Sequence, residues 1–102
     1  MIYFTQLIYL KEGQEAVFDE FESIAIPAIA RYGGELLLRL RPGASAVIEA
    51  SVEPPYEVHL ACFPTDEDFR RFAQDEERKK YLHLKEQSIR AVILIKGHEL
   101  GS

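Results

Sequence analysis

The chain has 102 residues, with twelve basic against seventeen acidic side chains and a net charge of -5. That length fits one compact domain with a radius of gyration of about 13 Å, and an acidic balance repels a phosphate backbone instead of neutralising it, which argues against nucleic acid as a partner. A composition of 47% hydrophobic and 28% charged residues excludes a disordered or low-complexity chain.

Residues 2–10 are rich in β-branched, aromatic and aliphatic side chains and end at Lys11-Glu12-Gly13, which reads as a strand and a turn. From Gln14 the period changes. Val17, Phe18, Phe21, Ile24, Ala25, Ala28, Ile29 and Tyr32 recur at three and four residues, the pattern of an amphipathic helix. Pro27 lies inside it and is expected to kink it near Ser23 to Pro27, and Gly33-Gly34 stops it, because glycine takes a left-handed C-cap without steric cost. Residues 35–41 alternate, with Leu36, Leu38 and Leu40 on one face and Glu35, Leu37, Arg39 and Arg41 on the other. Pro42-Gly43 makes a turn, and residues 46–50 are expected to add a short edge strand before Pro54-Pro55.

Residues 56–63 alternate again, with Val58, Leu60 and Cys62 opposed to Glu57, His59, Ala61 and Phe63. Thr65 and Asp68 then have the spacing of a helix N-cap box, and Asp66, Glu67 and Asp68 favour the positive end of the helix dipole. The helix carries Phe69, Phe72 and Ala73, is interrupted near Asp75-Glu76, and resumes through Tyr81, Leu82 and Leu84. Residues 89–96 are an almost continuous apolar run, read as a central strand that Gly97 ends. One domain therefore spans residues 1–97, with a tail at 98–102.

The order strand, helix, strand, strand, helix, strand predicts an α+β chain of ferredoxin-like βαββαβ type, with a four-stranded antiparallel sheet and both helices on one face. A sheet of this kind leaves its other face bare, and here that face is largely apolar, so a homodimer pairing sheet against sheet is expected. The chain resembles the DUF1330 family of the dimeric α/β-barrel superfamily over nearly its whole length. The resemblance is carried by Phe18-x-x-Phe21, Ile26-Pro27, Tyr32-Gly33-Gly34, Glu35-Leu36-Leu37-Leu38-Arg39, Val47-Ile48-Glu49 before Pro54-Pro55, and Phe63-Pro64 leading into Asp68-Phe69. Cys62 departs from the acidic residue common at that point in the family, and residues 75–81 depart from its Ser-Pro-x-Tyr. The resemblance implies a fold and a dimer and leaves the activity open.

With the strand-two leucines taken as helix-facing, Glu35 and Arg39, and with them Glu57 and His59, are expected on the bare face beside the hydroxyls of Tyr3 and Thr5. Arg39 and His59 together suit a small anionic or enol-like ligand held between sheet faces. The plainer alternative pairs Arg39 with Glu57 or Glu35 across strands and makes His59 a satisfied interface residue. Cys62 is expected on the helix-facing register as inert core. His59, His83 and His98 are too scattered for a metal motif, and no glycine-rich phosphate loop occurs, so neither metal nor nucleotide cofactor is expected.

Three functional classes follow: a homodimeric small-molecule-binding barrel, a cofactor-free monooxygenase or isomerase acting on a phenolic or enolisable substrate, and a base-stacking RNA-binding sheet. The charge and the absence of a basic aromatic motif set the last aside. A lone cysteine, no signal-peptide pattern at Met1 and no apolar run near the roughly 20 residues of a membrane span point to the cytoplasm and away from membranes.

Overall fold

The computed structural model describes residues 1–101; Ser102, the last residue of the expected tail, lies outside them. Its backbone is β1 (Ile2–Leu10), α1 (Glu15–Arg31), β2 (Glu35–Leu40), β3 (Glu57–Phe63), α2 (Asp66–Ala73), α3 (Glu76–Lys80), α4 (Leu82–Ser88) and β4 (Ile89–Gly97). The strands form one antiparallel sheet in the order β2-β3-β1-β4. This is the ferredoxin-like α+β arrangement the element order predicts. The molecule is a slab of 41 × 34 × 16 Å, as deep as one sheet and one helix layer.

Each break in the helical layer has a local cause. α1 runs unbroken through Pro27, which is exposed and sits one turn beyond an exposed Ser23. The carbonyl that loses its donor therefore faces water. Gly33 takes φ 75° to end the helix, and a Cβ on Gly34 would come within 2.7 Å of the Phe63 ring. Thr65 caps α2 by accepting from the Asp68 amide at 3.1 Å. Asp75 then separates α2 from α3 and caps the latter, accepting from the Arg78 amide at 2.8 Å. It also receives the Tyr32 hydroxyl at 2.7 Å and Arg31 at 2.8 Å, so the end of α1 is tied to the start of α3.

Register decides which side chains meet the helices. Phe4, Ala61 and Leu36 are paired across β1, β3 and β2, as are Gln6, His59 and Arg39. Phe4 stacks on Phe69 of α2 at 4.0 Å between ring centres, which fixes this as the helix side. Two expectations are corrected here. The expected all-leucine face of β2 is split by an irregularity between Leu36 and Leu38, which turns Leu36 inward and Leu38 and Leu40 outward. On β3 the alternation is as expected but the sides are exchanged: Glu57, His59, Ala61 and Phe63 face the helices, and Val58, Leu60 and Cys62 face away. Cys62 is buried nonetheless, paired with Tyr3 and Glu35.

No strand forms at 46–50. A single 3-10 turn at Ala44–Ala46 and irregular backbone occupy the stretch between Pro42 and Pro54. These two prolines remove ladder donors at its ends.

Candidate functional site

The core is not continuous. Phe4, Ile29 and Phe63 form one buried cluster, joined by Phe69 and Phe72, while Phe21, Ala25 and Leu84 form another. Between them, walled by members of both, is a cavity of about 390 Å³. That volume is near the lower end of the roughly 300–1,000 Å³ typical of small-molecule sites. Val92 and Leu94 of β4 line it yet remain exposed, which puts its mouth on the β4 side. The polar groups in the lining are Gln6, Glu22, His59, Arg78 and Lys85.

His59 belongs to a charged cluster on the helix side of β2 and β3. Glu57 is fully buried and accepts from Arg39 Nε at 2.8 Å, from Arg41 Nε at 2.6 Å and from His59 Nε2. Asp19 of α1 pairs with Arg41 and lies 3.6 Å from Arg39. Burial pushes the Glu57 carboxyl up, but the three hydrogen bonds outweigh it and hold it below the ordinary value. Burial also lowers His59, against the opposing pull of Glu57. At neutral pH Glu57 is therefore ionised and His59 neutral. An ionised carboxylate only accepts, so the proton sits on Nε2. Nδ1 keeps its lone pair, with no protein partner among the described residues.

A second group comes from the helices. Glu22 on α1 is 7% exposed and has no hydrogen-bond or ion-pair partner among the described residues. Burial raises its carboxyl to about 7, with Glu57 adding to the rise and Arg39, Arg78 and Lys85 opposing it. Arg78 of α3 donates Nη1 to the Ala73 carbonyl at 3.1 Å, and its guanidinium lies over the rings of Phe72 and Phe21 at 5.3 and 5.8 Å. Lys85 of α4 is half-buried. Burial lowers both cations, and Arg78 lowers Lys85 further.

The six residues singled out from sequence therefore divide between two faces. Arg39, Glu57 and His59 converge, but toward the helices and not onto the bare face. Tyr3, Thr5 and Glu35 lie on the opposite face, with Tyr3 and Glu35 both paired to Cys62. The plainer alternative holds for Arg39, which is paired with Glu57. Glu22, Arg78, Lys85 and Gln6 were not foreseen. Glu22 had a readable signal: the spacing 18, 22, 25, 29 puts it on the apolar stripe of α1. Arg78 and Lys85 lie on separate helices, α3 and α4, so no single-helix spacing joins them.

Neither a family model nor a curated protein matches the chain. Solved structures do. A protein of unknown function from Rhodopseudomonas palustris is 16% identical, covers 99% of this chain and 83% of its own, and superposes with a TM-score of 0.83. The chain has the ferredoxin-like α+β fold. A NIPSNAP family protein of unknown function from Agrobacterium tumefaciens is 18% identical over 95% of this chain and 86% of its own, with a TM-score of 0.68. A putative antibiotic biosynthesis monooxygenase from Nitrosomonas europaea is 12% identical over 99% and 100%, with a TM-score of 0.69. Likeness at these identities concerns the fold alone. No helix among the described residues is long and apolar enough to cross a membrane.

Proposed function

We propose that this chain is a DUF1330-like cytoplasmic protein that binds a small organic molecule in the cavity between its sheet and its helices. The observation that carries this reading is the cavity itself: apolar walls from two core clusters, with His59 locked in one tautomer at its edge. An apolar or aromatic body fits the walls, and an oxygen function on the ligand donates to the free Nδ1 of His59. Titration calorimetry with 1-naphthol is the test. Binding is expected, and His59→Ala is expected to weaken it about tenfold, the loss of one hydrogen bond of about 1.4 kcal/mol. Unchanged affinity in that variant would put the ligand elsewhere.

A second reading makes the site catalytic. The Glu57-His59 pair has the form of an oriented general base, with Nδ1 free to take a proton from a phenolic or enolisable group. That favours isomerase chemistry, or cofactor-free oxygenation of the resulting anion, and the fold neighbour named as a putative monooxygenase is in keeping with it.

The reading includes a homodimer. Leu38 and Leu40 of β2 and Ile93 and Ile95 of β4 are exposed on the face opposite the helices, where Val58 and Leu60 continue the apolar surface. A second copy covers such a face by two-fold pairing of sheet on sheet. Sedimentation at micromolar concentration is expected to give a dimer, which Leu38→Glu with Ile95→Glu dissociates; a wild-type monomer there would remove the pairing.

A further inference from the structure

We propose that the ligand of this cavity is an organic carboxylate, received by Arg78 and Lys85 beside Glu22. The proposal rests on reading the cavity as a small-molecule site and names the class of molecule it takes. Most cations that reach a carboxylate in this structure are spent on one: Arg31 on Asp75, Arg39 and Arg41 on Glu57, Arg90 on Glu53 and Lys96 on Asp66. Arg78 and Lys85 are different. Both line the cavity, both are partly buried, and neither has a carboxylate within ion-pair distance among the described residues.

Arg78 is also held in place. One nitrogen is anchored on the Ala73 carbonyl, the guanidinium rests over two aromatic rings, and the backbone amide is capped by Asp75. Its remaining donors are thus presented in a fixed direction, the arrangement that suits a planar carboxylate. Keeping two cations together and partly desolvated is unfavourable unless an anion joins them.

Glu22 is the only carboxyl in the cavity lining among the described residues, and it engages neither cation. Its proton affinity near neutrality lets it donate to a guest carboxylate instead of repelling it. Phe4, Ile29, Phe63 and Ala25 offer the rest of the guest an apolar bed.

Matched probes separate this from the broader reading. In titration calorimetry at pH 6.5, 2-naphthoate is expected to bind at least tenfold more tightly than 2-acetylnaphthalene, a neutral ketone of the same shape, and more tightly than 2-naphthyl phosphate. Lys85→Met, at a partly exposed and unpaired side chain, is expected to reduce the preference for the carboxylate over the ketone at least fivefold. Arg78→Met is expected to reduce it further. Equal binding of acid and ketone, or a preference that survives Lys85→Met, overturns the carboxylate and leaves the small-molecule site standing. Tighter binding of the phosphate ester overturns the carboxylate in favour of a dianion. Binding of none of the three overturns both readings.

Discussion

Glu57→Gln is expected to cost about 3 kcal/mol of folding free energy at pH 7, in the range measured when one partner is taken from a buried ion pair. The side chain is fully buried and accepts three hydrogen bonds, from Arg39, Arg41 and His59. An amide offers one acceptor oxygen and turns an NH2 group toward the remaining donors. Arg39 and Arg41 are 34% and 45% exposed at the side chain and recover some solvation, which keeps the cost from the top of that range. The pH dependence has a definite sign. The carboxyl lies below its ordinary value of 4.5 in the folded protein, so its contribution is complete above that value and is lost as pH falls through the folded one. Urea denaturation at fixed protein concentration therefore gives a wild-type advantage at pH 7 that shrinks toward pH 3. A difference under about 0.5 kcal/mol at pH 7 would mean that desolvation cancels the cluster's attraction.

Glu22→Gln is expected to act in the opposite direction. The folded protein holds the Glu22 proton up to about 7, against an ordinary value of 4.5. Between those values the native state binds a proton that the unfolded chain has released, so wild-type stability falls as pH rises through the window. The displacement corresponds to about 3 kcal/mol. Arg39 and Glu57 face the group from the sheet and Arg78 and Lys85 from α3 and α4; the three cations already moderate the penalty. Glutamine carries no titrating proton, so the variant should match wild type near pH 4.5 and exceed it by up to about 3 kcal/mol at pH 8. Parallel stability curves for the two proteins across that range would show that Glu22 ionises normally.

The fold was legible because each element carries its own period and its own stop. Strand alternation, the three-and-four spacing of α1, the Gly33-Gly34 termination and the Thr65 cap each name one local structure, and together they admit few topologies. The site was less legible, for a physical reason. Polarity assigns a strand's faces only when one side is plainly polar and the other plainly apolar, and here both faces of the sheet mix the two. Val58 and Leu60 look like the buried side of β3, yet they lie away from the helices, while Glu57 and His59 go inward because Arg39, Arg41 and each other satisfy them. Such mutual satisfaction depends on residues distant in sequence. The cavity lining from α1, α3 and α4 has the same origin, although the position of Glu22 on an apolar stripe was visible in its spacing.

The irregularity between Leu36 and Leu38 makes chain length, and not only residue type, part of the message in β2. Leu37 is a supernumerary residue: on either side of it the pairing with β3 keeps its phase, Leu36 opposite Ala61 and Leu38 opposite Leu60. The run Leu36-Leu37-Leu38 can therefore lose one leucine and leave Arg39 still directed at Glu57, whereas losing two would turn the arginine outward and bring Leu40 onto the inner face in its place. Among relatives of this protein, β2 should differ in length by that one residue and not by two.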